Sequence, residues 1–529
     1  MNLQTINRRD TEYFSDLANE LIDDQEKLSQ FLAEPFTKSN FETQIQSKEN
    51  SFTNEQRKTL FDVLNQQLAP YFNFSKVKEN VEALKNSNTF TVTAGHQLNL
   101  YGGPLYVAYK IMHTIRLAEE LNAAYPKNHI VPVFWMATED HDFEEINHLH
   151  LFHDTLTWDS DQKGPVGRFS LDGFDGFKSN LLAKFGNNQE MEAYLDQFYH
   201  EDNLAAATRS LMMDLFGDYG LVILDADNST LKKSFATVIE KEITEQFSVK
   251  EVEASTQQLE EKGYFGQAMA RPINLFYIKD QLRERIIPHD DGTFEIGDLS
   301  FTKKELLKDL EEHPERFSPN VILRPLFQEF ILPNLCYLGG GGEMAYWLQL
   351  KGVFEQANVP FPLIQVRNSI QWFDKSALKK LNKLELQVKD VFLSIHENKK
   401  QFVMNKTDDE LDFSLLEKYG KQFIDEMEQS ITAVDKALEG YAKSESTKVQ
   451  KQIDTIQQKL IRHQKKQHDD AMKQMENVYA RLFPNNGLQE RFENMIPYLA
   501  KYGKKEFVQH LHDAIQPFEK ELILLIEEE

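Results

Sequence analysis

Short apolar runs that end in glycine or in charged residues recur through the middle of the chain, with amphipathic helical spacing between them. The runs occupy residues 89–94, 130–136, 221–224, 335–338 and 361–366. Continuous apolar strands separated by helices are typical of a parallel sheet that is buried on both faces. The carboxyl ends of such strands meet at one edge, and open α/β sheets bind their ligands there. The pattern therefore predicts an α/β, Rossmann-like core with a site at this edge.

Helical patterns flank this core on both sides. Before it, Thr53 and Gln56 form a capping-box pattern at the start of an apolar helical repeat. After it, apolar residues follow a 4-3-4 spacing within highly charged segments. This spacing predicts an antiparallel coiled coil over about residues 425–482, with the two helices joined at Lys443–Ser446.

The chain is therefore predicted to contain three parts. They are an N-terminal helical segment (1–87), the parallel-sheet core (88–370) and a C-terminal α-helical domain with the coiled coil (371–529). Two connecting segments are predicted to interrupt the core, at about 150–200 and 272–315. The second contains a β-hairpin turn signal, Asp291–Gly292.

Charge and cysteine content narrow the class of protein. The net charge is −25, from 59 basic and 84 acidic residues. An acidic protein is repelled by nucleic acid and by anionic membranes, so we expect neither as a partner, although a local basic pocket remains compatible with this charge. The single cysteine, Cys336, is interpreted as a buried core residue and fits a reducing compartment. With no signal peptide or membrane span in the sequence, we expect a cytoplasmic protein.

The first candidate site is the loop from Gly95 to Pro104, after the first strand. A strand that ends in glycine, followed by a helix that begins after Gly102 and Gly103, is typical of an anion site, because free amides and the helix dipole favour negative charge. His96 is the candidate that stabilises charge on a phosphate, with Asn99 nearby. The alternative is a tight turn in which His96 caps the helix.

The second candidate site is the block Glu139, Asp140, His141 and Asp142, which follows the second strand beside Trp135. Carboxylates and an imidazole in this position are able to hold an ammonium group or to act as a general base. The alternative is a solvated loop. His148, His150 and His153 suggest a metal centre, but their spacing matches no zinc signature, and no metal is predicted.

Other strand ends add further candidates for ligand binding. Arginines are included because their guanidinium groups bind carboxylates and phosphates in a bidentate manner, and glycines because a ligand can approach their backbone closely. These candidates are Asp225, Asp227, Arg324, Gly341, Gly342, Glu343, Arg367 and Asn368. For each of them the alternative is a structural ion pair, a helix cap or close helix packing.

Several motifs together resemble one family, the bacillithiol biosynthesis cysteine-adding enzymes (BshC). The motifs are Gly95–Tyr106, Val131–Ala137 with Glu139–Phe143, Leu323–Pro325 and Gly342–Trp347. The resemblance covers essentially the whole chain. It implies a Rossmann-like core with connecting segments, a coiled coil that forms a homodimer, and a carbon–nitrogen ligase that joins L-cysteine to glucosaminyl-malate in the last step of the pathway.

The resemblance also suggests a mechanism by analogy with class I aminoacyl-tRNA synthetases, in which ATP activates a carboxyl group. His96 and Asn99 stand where a phosphate loop would lie, while Asp140, His141 or Asp142 would accept or orient the amine proton. Arg324 or Arg367 would hold the malate carboxylates. Two alternatives stay open from the residues alone: a metal-dependent hydrolase using the cluster at 139–148, and a non-catalytic scaffold built on the coiled coil.

Overall fold

A parallel sheet of five strands forms where the five apolar runs were predicted. In the computed structural model, which describes residues 1–151, 154–186, 188–197, 199, 201–406, 413–467 and 469–528, its strand order is β14-β13-β2-β3-β6. The sheet strands are β2 (Thr89–His96), β3 (His129–Met136), β6 (Val222–Asp225), β13 (Asn334–Gly339) and β14 (Leu363–Val366). Every pairing between neighbouring strands is parallel, so all carboxyl ends lie at the same edge. The Rossmann-like prediction is confirmed.

Helices and shorter strands complete the chain. The remaining strands are β1 (Asn2–Ile6), β4 (His148–Leu151), β5 (Asp154–Thr157), β7 (Leu275–Lys279), β8 (Leu282–Arg285), β9 (Ile287–Pro288), β10 (Thr293–Ile296), β11 (Leu299–Thr302), β12 (Phe317–Pro319), β15 (Ile370–Phe373) and β16 (Leu522–Ile526). The first helices are α1 (Asp16–Asp23), α2 (Asn40–Ser51), α3 (Asn54–Leu68), α4 (Ser75–Ala83), α5 (Leu105–Ala124), α6 (Phe174–Ala183), α7 (Gln189–Asp196), α8 (Leu204–Phe216), α9 (Ser229–Ser234), α10 (Ala236–Glu245) and α11 (Phe247–Glu261). They are followed by α12 (Lys303–Glu312), α13 (Leu323–Ile331), α14 (Gly341–Trp347), α15 (Lys351–Gln356), α16 (Lys375–Lys383), α17 (Ile395–Lys406), α18 (Ser414–Val434), α19 (Glu439–Gln467), α20 (Asp469–Leu482) and α21 (Ile496–Ala514). None of the described helices is long and apolar enough to span a membrane.

The chain divides into two compact units. The larger contains residues 3–371 and 488–525, and the smaller contains residues 372–487. Residues 488–525, which were predicted to lie in the C-terminal domain, thus belong to the unit that holds the parallel sheet. This placement matters for the site because residues 490–495 contact the loop after β2.

The sheet core is an apolar, buried layer. Phe90, Val92 and Ala94 of β2 pack with Leu335 and Leu338 of β13 in one fully buried cluster, and α5 covers the same face. Burial of Val, Leu and Phe side chains is the main stabilising contribution to such a layer, about 1.5–3 kcal/mol for each side chain. Cys336 belongs to this cluster, which confirms its interpretation as a core residue.

The predicted local signals are mostly found where expected. Thr53 and Gln56 form the predicted capping box at the start of α3, and the structure has a second capping box, Thr302 with Glu305, at the start of α12. The hairpin signal at Asp291–Gly292 joins β9 to β10. One prediction was wrong: Lys443–Ser446 lies inside α19 and does not form the turn of the coiled coil.

The turn of this helical hairpin lies earlier, at Asp435. Helix α18 ends at Val434, and Asp435 accepts a hydrogen bond from the Ala437 amide, which caps the short 3-10 turn before α19. An aspartate in extended backbone is a common N-cap, because its carboxylate satisfies an amide that no helical carbonyl reaches. The polar run at 443–446 misled the prediction, since Lys, Ser and Glu are tolerated on the exposed face of a helix.

Candidate active site

One large cavity, about 880 Å³, lies at the carboxyl edge of the parallel sheet. Its lining comes from the ends of β2, β3 and β13 and from the connecting segment that contains β7 and β8. Of the predicted site residues, those that line it are Gly95, His96, Trp135, Glu139, Asp140, His141, Arg324, Gly341, Gly342, Glu343 and Arg367. Those that do not are Asn99, Gly102, Gly103, Asp142, Asp225, Asp227 and Asn368. Two separate loops and two strand ends thus meet at one concave surface.

At the end of the loop between β2 and α5, the backbone groups are occupied by contacts with residues 493–495. The first amide of α5, Leu105 N, donates to the carbonyl of Glu493, and the Asn494 side-chain amide donates to the carbonyl of Gly103. Gly102 has φ +79°, and a Cβ there would lie 1.9 Å from the Met495 methyl carbon. The two glycines therefore serve a tight turn against residues 493–495, and the open anion site predicted for this stretch is reduced to its first residues.

His96, at the start of this loop, is neutral at physiological pH. Burial, followed by the nearby Lys110 ammonium, lowers its pKa to about 3. Its Nε2 lies 3.3 Å from the Tyr106 hydroxyl, on the first turn of α5. His96 therefore acts toward a ligand as a neutral donor or acceptor, and not as the positive charge that a phosphate site usually provides.

The floor of the cavity is held by an ion pair between a buried lysine and a partly exposed glutamate. Lys110 Nζ donates to the Gly95 carbonyl at 2.9 Å and to Glu343 Oε2 at 2.5 Å. Glu343 also accepts hydrogen bonds from the Gly340 amide and from the Tyr337 hydroxyl. Burial opposes ionisation of Glu343, but Lys110 and the Gly340 amide bring its pKa below the usual value. The β2 and β13 ends are thus joined by one charged group.

The loop after β3 presents its carboxylates in different ways. Glu139 forms an ion pair with the buried Lys232, and burial raises its pKa although Lys232 works against this. Burial opposes ionisation of Asp140, yet contacts with His141, Gln97 and Arg283 bring its pKa well below the usual value. Gln97 Nε2 donates to Asp140 Oδ2 at 2.7 Å. Asp140 is therefore a persistent anion in the cavity wall.

The two remaining members of this loop are exposed. Asp142 does not line the cavity, and its backbone amide points to Asp140 Oδ1 at 3.4 Å. The His141 ring does line it, and its Nδ1 lies 2.7 Å from an Arg283 nitrogen. The four residues predicted as a single cluster thus divide into three that line the cavity, namely two partly buried carboxylates and an exposed imidazole, and one exposed carboxylate that does not line it.

Asp225 and Asp227, at the end of β6, are engaged in structural contacts. Asp225 accepts from Arg209 at 3.1 Å and from the Thr138 hydroxyl. Asp227 accepts two hydrogen bonds from the Arg168 guanidinium, one on each carboxylate oxygen, at 2.8 Å each. Neither caps α9, as one alternative supposed. Asn228 does so, by accepting from the amides of Thr230 and Leu231.

Arg324 presents its guanidinium to the cavity between two aromatic rings. Its Cζ lies 5.9 Å from the Trp135 ring centroid and 5.7 Å from that of Tyr337. Its nitrogens donate to Gln328 Oε1 and to the Tyr346 hydroxyl, both at 3.2 Å. Among the described residues it has no carboxylate in an ion pair. A guanidinium held in this way by neutral groups retains its full charge for an anionic ligand.

Arg367 and Asn368 are largely committed elsewhere. Arg367 donates to Glu490 Oε1 at 2.8 Å, inside the protein, although its guanidinium also lies over the Tyr106 ring and lines the cavity. The side-chain amide of Asn368 donates to the Glu519 carbonyl, and its backbone amide donates to His113 Nδ1. Of the two arginines predicted for substrate carboxylates, Arg324 is the one that is free of an ion pair.

Sequence reasoning missed most of the positive charge. Among the described residues that line the cavity, six are arginines and four are carboxylates, in a protein of net charge −25. The missed arginines are Arg271, Arg283, Arg285 and Arg491. The alternation of Arg283 and Arg285 on a strand was a usable signal, because residues two apart share one face. The distance of these two arginines from the ends of the parallel strands could not be judged from the sequence.

A metal centre receives no support from the geometry. Among the described residues, no group of three or more His, Cys, Asp and Glu side chains is arranged to hold a metal ion. His148 contacts the Asn147 side chain, and His150 stacks on Phe492 at 4.0 Å between centroids. His153 lies outside the described residues.

Comparisons with known proteins agree along the whole chain. The model of the bacillithiol biosynthesis BshC N-terminal Rossmann-like domain matches residues 1–368, and that of the BshC C-terminal coiled-coil domain matches residues 370–527. A protein of Flavobacterium johnsoniae named "Putative cysteine ligase BshC" is 40% identical over 96% of both chains. This chain is also similar to two further proteins of the same name. The one from Christiangramia forsetii is 38% identical over 99% of both chains, and the one from Cytophaga hutchinsonii is 36% identical over 98% of this chain and 97% of the other.

Proposed function

Because the chain belongs to the bacillithiol biosynthesis BshC family, we propose that it is a cytoplasmic cysteine ligase that joins L-cysteine to glucosaminyl-malate. The reaction forms one amide bond between the cysteine carboxyl and the glucosamine nitrogen, and its product is bacillithiol. The proposed active site is the cavity at the carboxyl edge of the parallel sheet.

Arg324 is the observation that carries this proposal. The glucosaminyl-malate molecule ends in a dicarboxylate, and a guanidinium offers two parallel donors to each carboxylate. Arg324 is held between Trp135 and Tyr337 without a carboxylate partner among the described residues. The surplus of arginine over carboxylate around it also favours a substrate with more than one negative charge.

The amine is assigned to the opposite wall, after β3. Asp140 stays ionised, because its pKa lies well below the usual value, and it is therefore suited to hold an ammonium group in place. The same property makes it a weak base. Asp142 is exposed on the same loop but lies outside the cavity lining, so we do not assign it the amine proton. His96 is proposed to contact the acyl group as a neutral hydrogen-bonding partner.

Activation of the cysteine carboxyl by ATP is proposed by analogy alone. When bound, a nucleoside triphosphate would supply a good leaving group on that carboxyl. The loop from Asn99 to Pro104 does not fit its phosphates, because Glu493 and Asn494 occupy the backbone groups there. The cavity arginines do fit phosphate oxygens, and Arg491 is the candidate that would hold them.

A homodimer through the helical hairpin is the proposed assembly. Leu415, Tyr419 and Phe423 are exposed on α18 at intervals of four residues, so they form one apolar stripe. Ile456 and Leu460 of α19 are exposed with the same spacing. Analytical ultracentrifugation tests this: the wild type should sediment as a dimer and the double variant Tyr419→Glu/Phe423→Glu as a monomer. A monomeric wild type would contradict it.

The function is tested by thiol analysis in cells that lack their own copy of the gene. The wild-type protein should restore bacillithiol and remove accumulated glucosaminyl-malate. Arg324→Gln, His96→Ala and Asp140→Asn are expected to lower the thiol, with Arg324→Gln nearly abolishing it. Arg462→Gln, at an exposed position of α19, is the matched control. Wild-type thiol levels with Arg324→Gln would refute the assignment of the dicarboxylate.

A further inference from the structure

We infer that Arg283 is a positioning residue that holds His141 as the neutral tautomer protonated on Nε2. An Arg283 terminal nitrogen lies 2.7 Å from His141 Nδ1. A guanidinium has only donors, so the imidazole nitrogen that faces it must accept and cannot carry a proton. The single proton of the neutral ring is thereby placed on Nε2. The strand-end pattern points to His141 but not to Arg283.

The guanidinium is fixed on three sides. Arg283 lies on β8 opposite Ile278 of β7, and its Cζ stacks 4.0 Å from the Phe276 ring centroid. Two of its nitrogens lie 3.3 and 3.4 Å from the Ser318 hydroxyl oxygen on β12. A planar group held by stacking and by a hydroxyl loses little entropy when it makes one more hydrogen bond. The hairpin β7–β8 therefore delivers a rigid donor to the loop after β3.

Asp140 is the competitor for the same imidazole nitrogen. Its Oδ1 lies 3.6 Å from His141 Nδ1, which is beyond hydrogen-bond distance. That oxygen already accepts from the His141 backbone amide at 2.7 Å. An Asp–His pair on its own would place the proton on Nδ1, as in a catalytic triad. The shorter contact with Arg283 decides against this arrangement.

The consequence for catalysis rests on the proposed function. His141 lines the cavity, and its Nε2 has no hydrogen-bond partner among the described residues. With the proton on Nε2, the ring donates to an oxygen of the substrate and does not remove the amine proton. During amide formation negative charge develops on the carbonyl oxygen, and a donor that is already oriented stabilises it.

The tautomer can be measured without turnover. In the full-length protein labelled with ¹⁵N-histidine, long-range ¹H–¹⁵N correlation spectra distinguish Nε2–H from Nδ1–H, and His141→Gln identifies the His141 signals. The wild type is expected to show Nε2–H. In Arg283→Met the donor is gone and Asp140 is the remaining partner, so the pattern should invert to Nδ1–H. Arg283→Lys, which restores a donor, should return toward the wild type.

Arg285→Met is the matched control. Arg285 lies two residues further along β8 and also lines the cavity, but its Cζ lies 6.0 Å from the Phe276 centroid. The His141 pattern should not change in this variant, and the other histidine signals report that each variant is folded. A wild-type Nδ1–H pattern, or an Arg283→Met pattern identical to the wild type, would overturn the inference.

Kinetics separate this inference from the proposed function. We expect Arg283→Met to lower kcat of thiol formation at least tenfold with little change in KM for glucosaminyl-malate, because a transition-state donor is lost. If the protein formed no bacillithiol at all, the proposed function would fail while the tautomer measurement would still stand. An inverted tautomer with unchanged kcat would contradict the catalytic consequence alone.

Discussion

Two lysine–glutamate pairs lie near opposite ends of strand β13, and their surroundings give them different roles. Lys48 pairs with Glu329, where the side chains are 1% and 0% exposed, and Glu329 also accepts from Asn334 at the start of β13. Lys110 pairs with Glu343, just beyond the end of β13, where the lysine is 1% but the glutamate 26% exposed. The same chemistry is structural at the amino end of the sheet and open to ligand at the carboxyl end.

The largest effect is expected at the buried Lys48–Glu329 pair. Lys48→Met leaves Glu329 buried without its counterion, which should lower the free energy of unfolding by about 3–5 kcal/mol. Burial already raises the pKa of Glu329, and Lys48 lowers it in part. Denaturant unfolding measures the loss, while KM values of the folded fraction should not change.

The pH dependence and a double variant sharpen this prediction. A carboxyl whose pKa is raised by folding destabilises the protein as pH rises above its unfolded value, because the folded state must then bury the charge or keep a proton. The stability of Lys48→Met should therefore fall steeply above pH 4.5, the reference value for Glu329. Lys48→Met/Glu329→Gln should recover most of the loss. Equal stability of the single and the double variant would contradict the pair's structural role.

At the open pair the balance reverses. Lys110→Met should cost only about 1–2 kcal/mol of stability, because cavity water can hydrate Glu343. The same change frees the Gly95 carbonyl and the Glu343 carboxylate, whose displacement by even 1 Å should lower kcat/KM of thiol formation about 100-fold. If Lys110→Met lost as much stability as Lys48→Met and kept full activity, the proposed difference between the two pairs would be contradicted.

The fold was predictable because its signals are local. Five apolar runs, each ended by glycine or charge, gave the five strands, and the strand-end rule placed Gly95, Glu139 and Glu343 at one cavity. The resemblance to the BshC family is confirmed by the matches to both domains. The turn of the helical hairpin was misplaced, since the capping role of Asp435 depends on one backbone conformation and not on composition.

The missing parts of the site depend on contacts that are distant in sequence. Lys110 lies on a largely apolar face of α5, and its neighbours in sequence do not indicate a role in the site. Its role comes from the ion pair with Glu343, which is 233 residues away in the chain. The packing of residues 493–495 against Gly102 and Gly103 joins positions even further apart, 391 residues for Asn494 and Gly103, and it closes the predicted phosphate loop. Arg283 reaches His141 through a connecting segment with no strand-end signal. Sequence patterns locate the edge of a sheet, but not what is folded over it.

The smallest effect is expected midway along β13, at Cys336, between the two pairs. Its thiol is fully buried in the aliphatic cluster, and burial raises its pKa well above the usual value, so it is not available as a thiolate. Cys336→Ala should cost about 1 kcal/mol through the small cavity that it leaves, with thiol formation unchanged. A thiol reagent should label the native protein only as fast as it unfolds, with Lys48→Met as the faster-labelling comparison. Rapid labelling or lost activity would contradict this prediction, because either result would mean that the accessible part of β13 extends from Gly339 as far as Cys336.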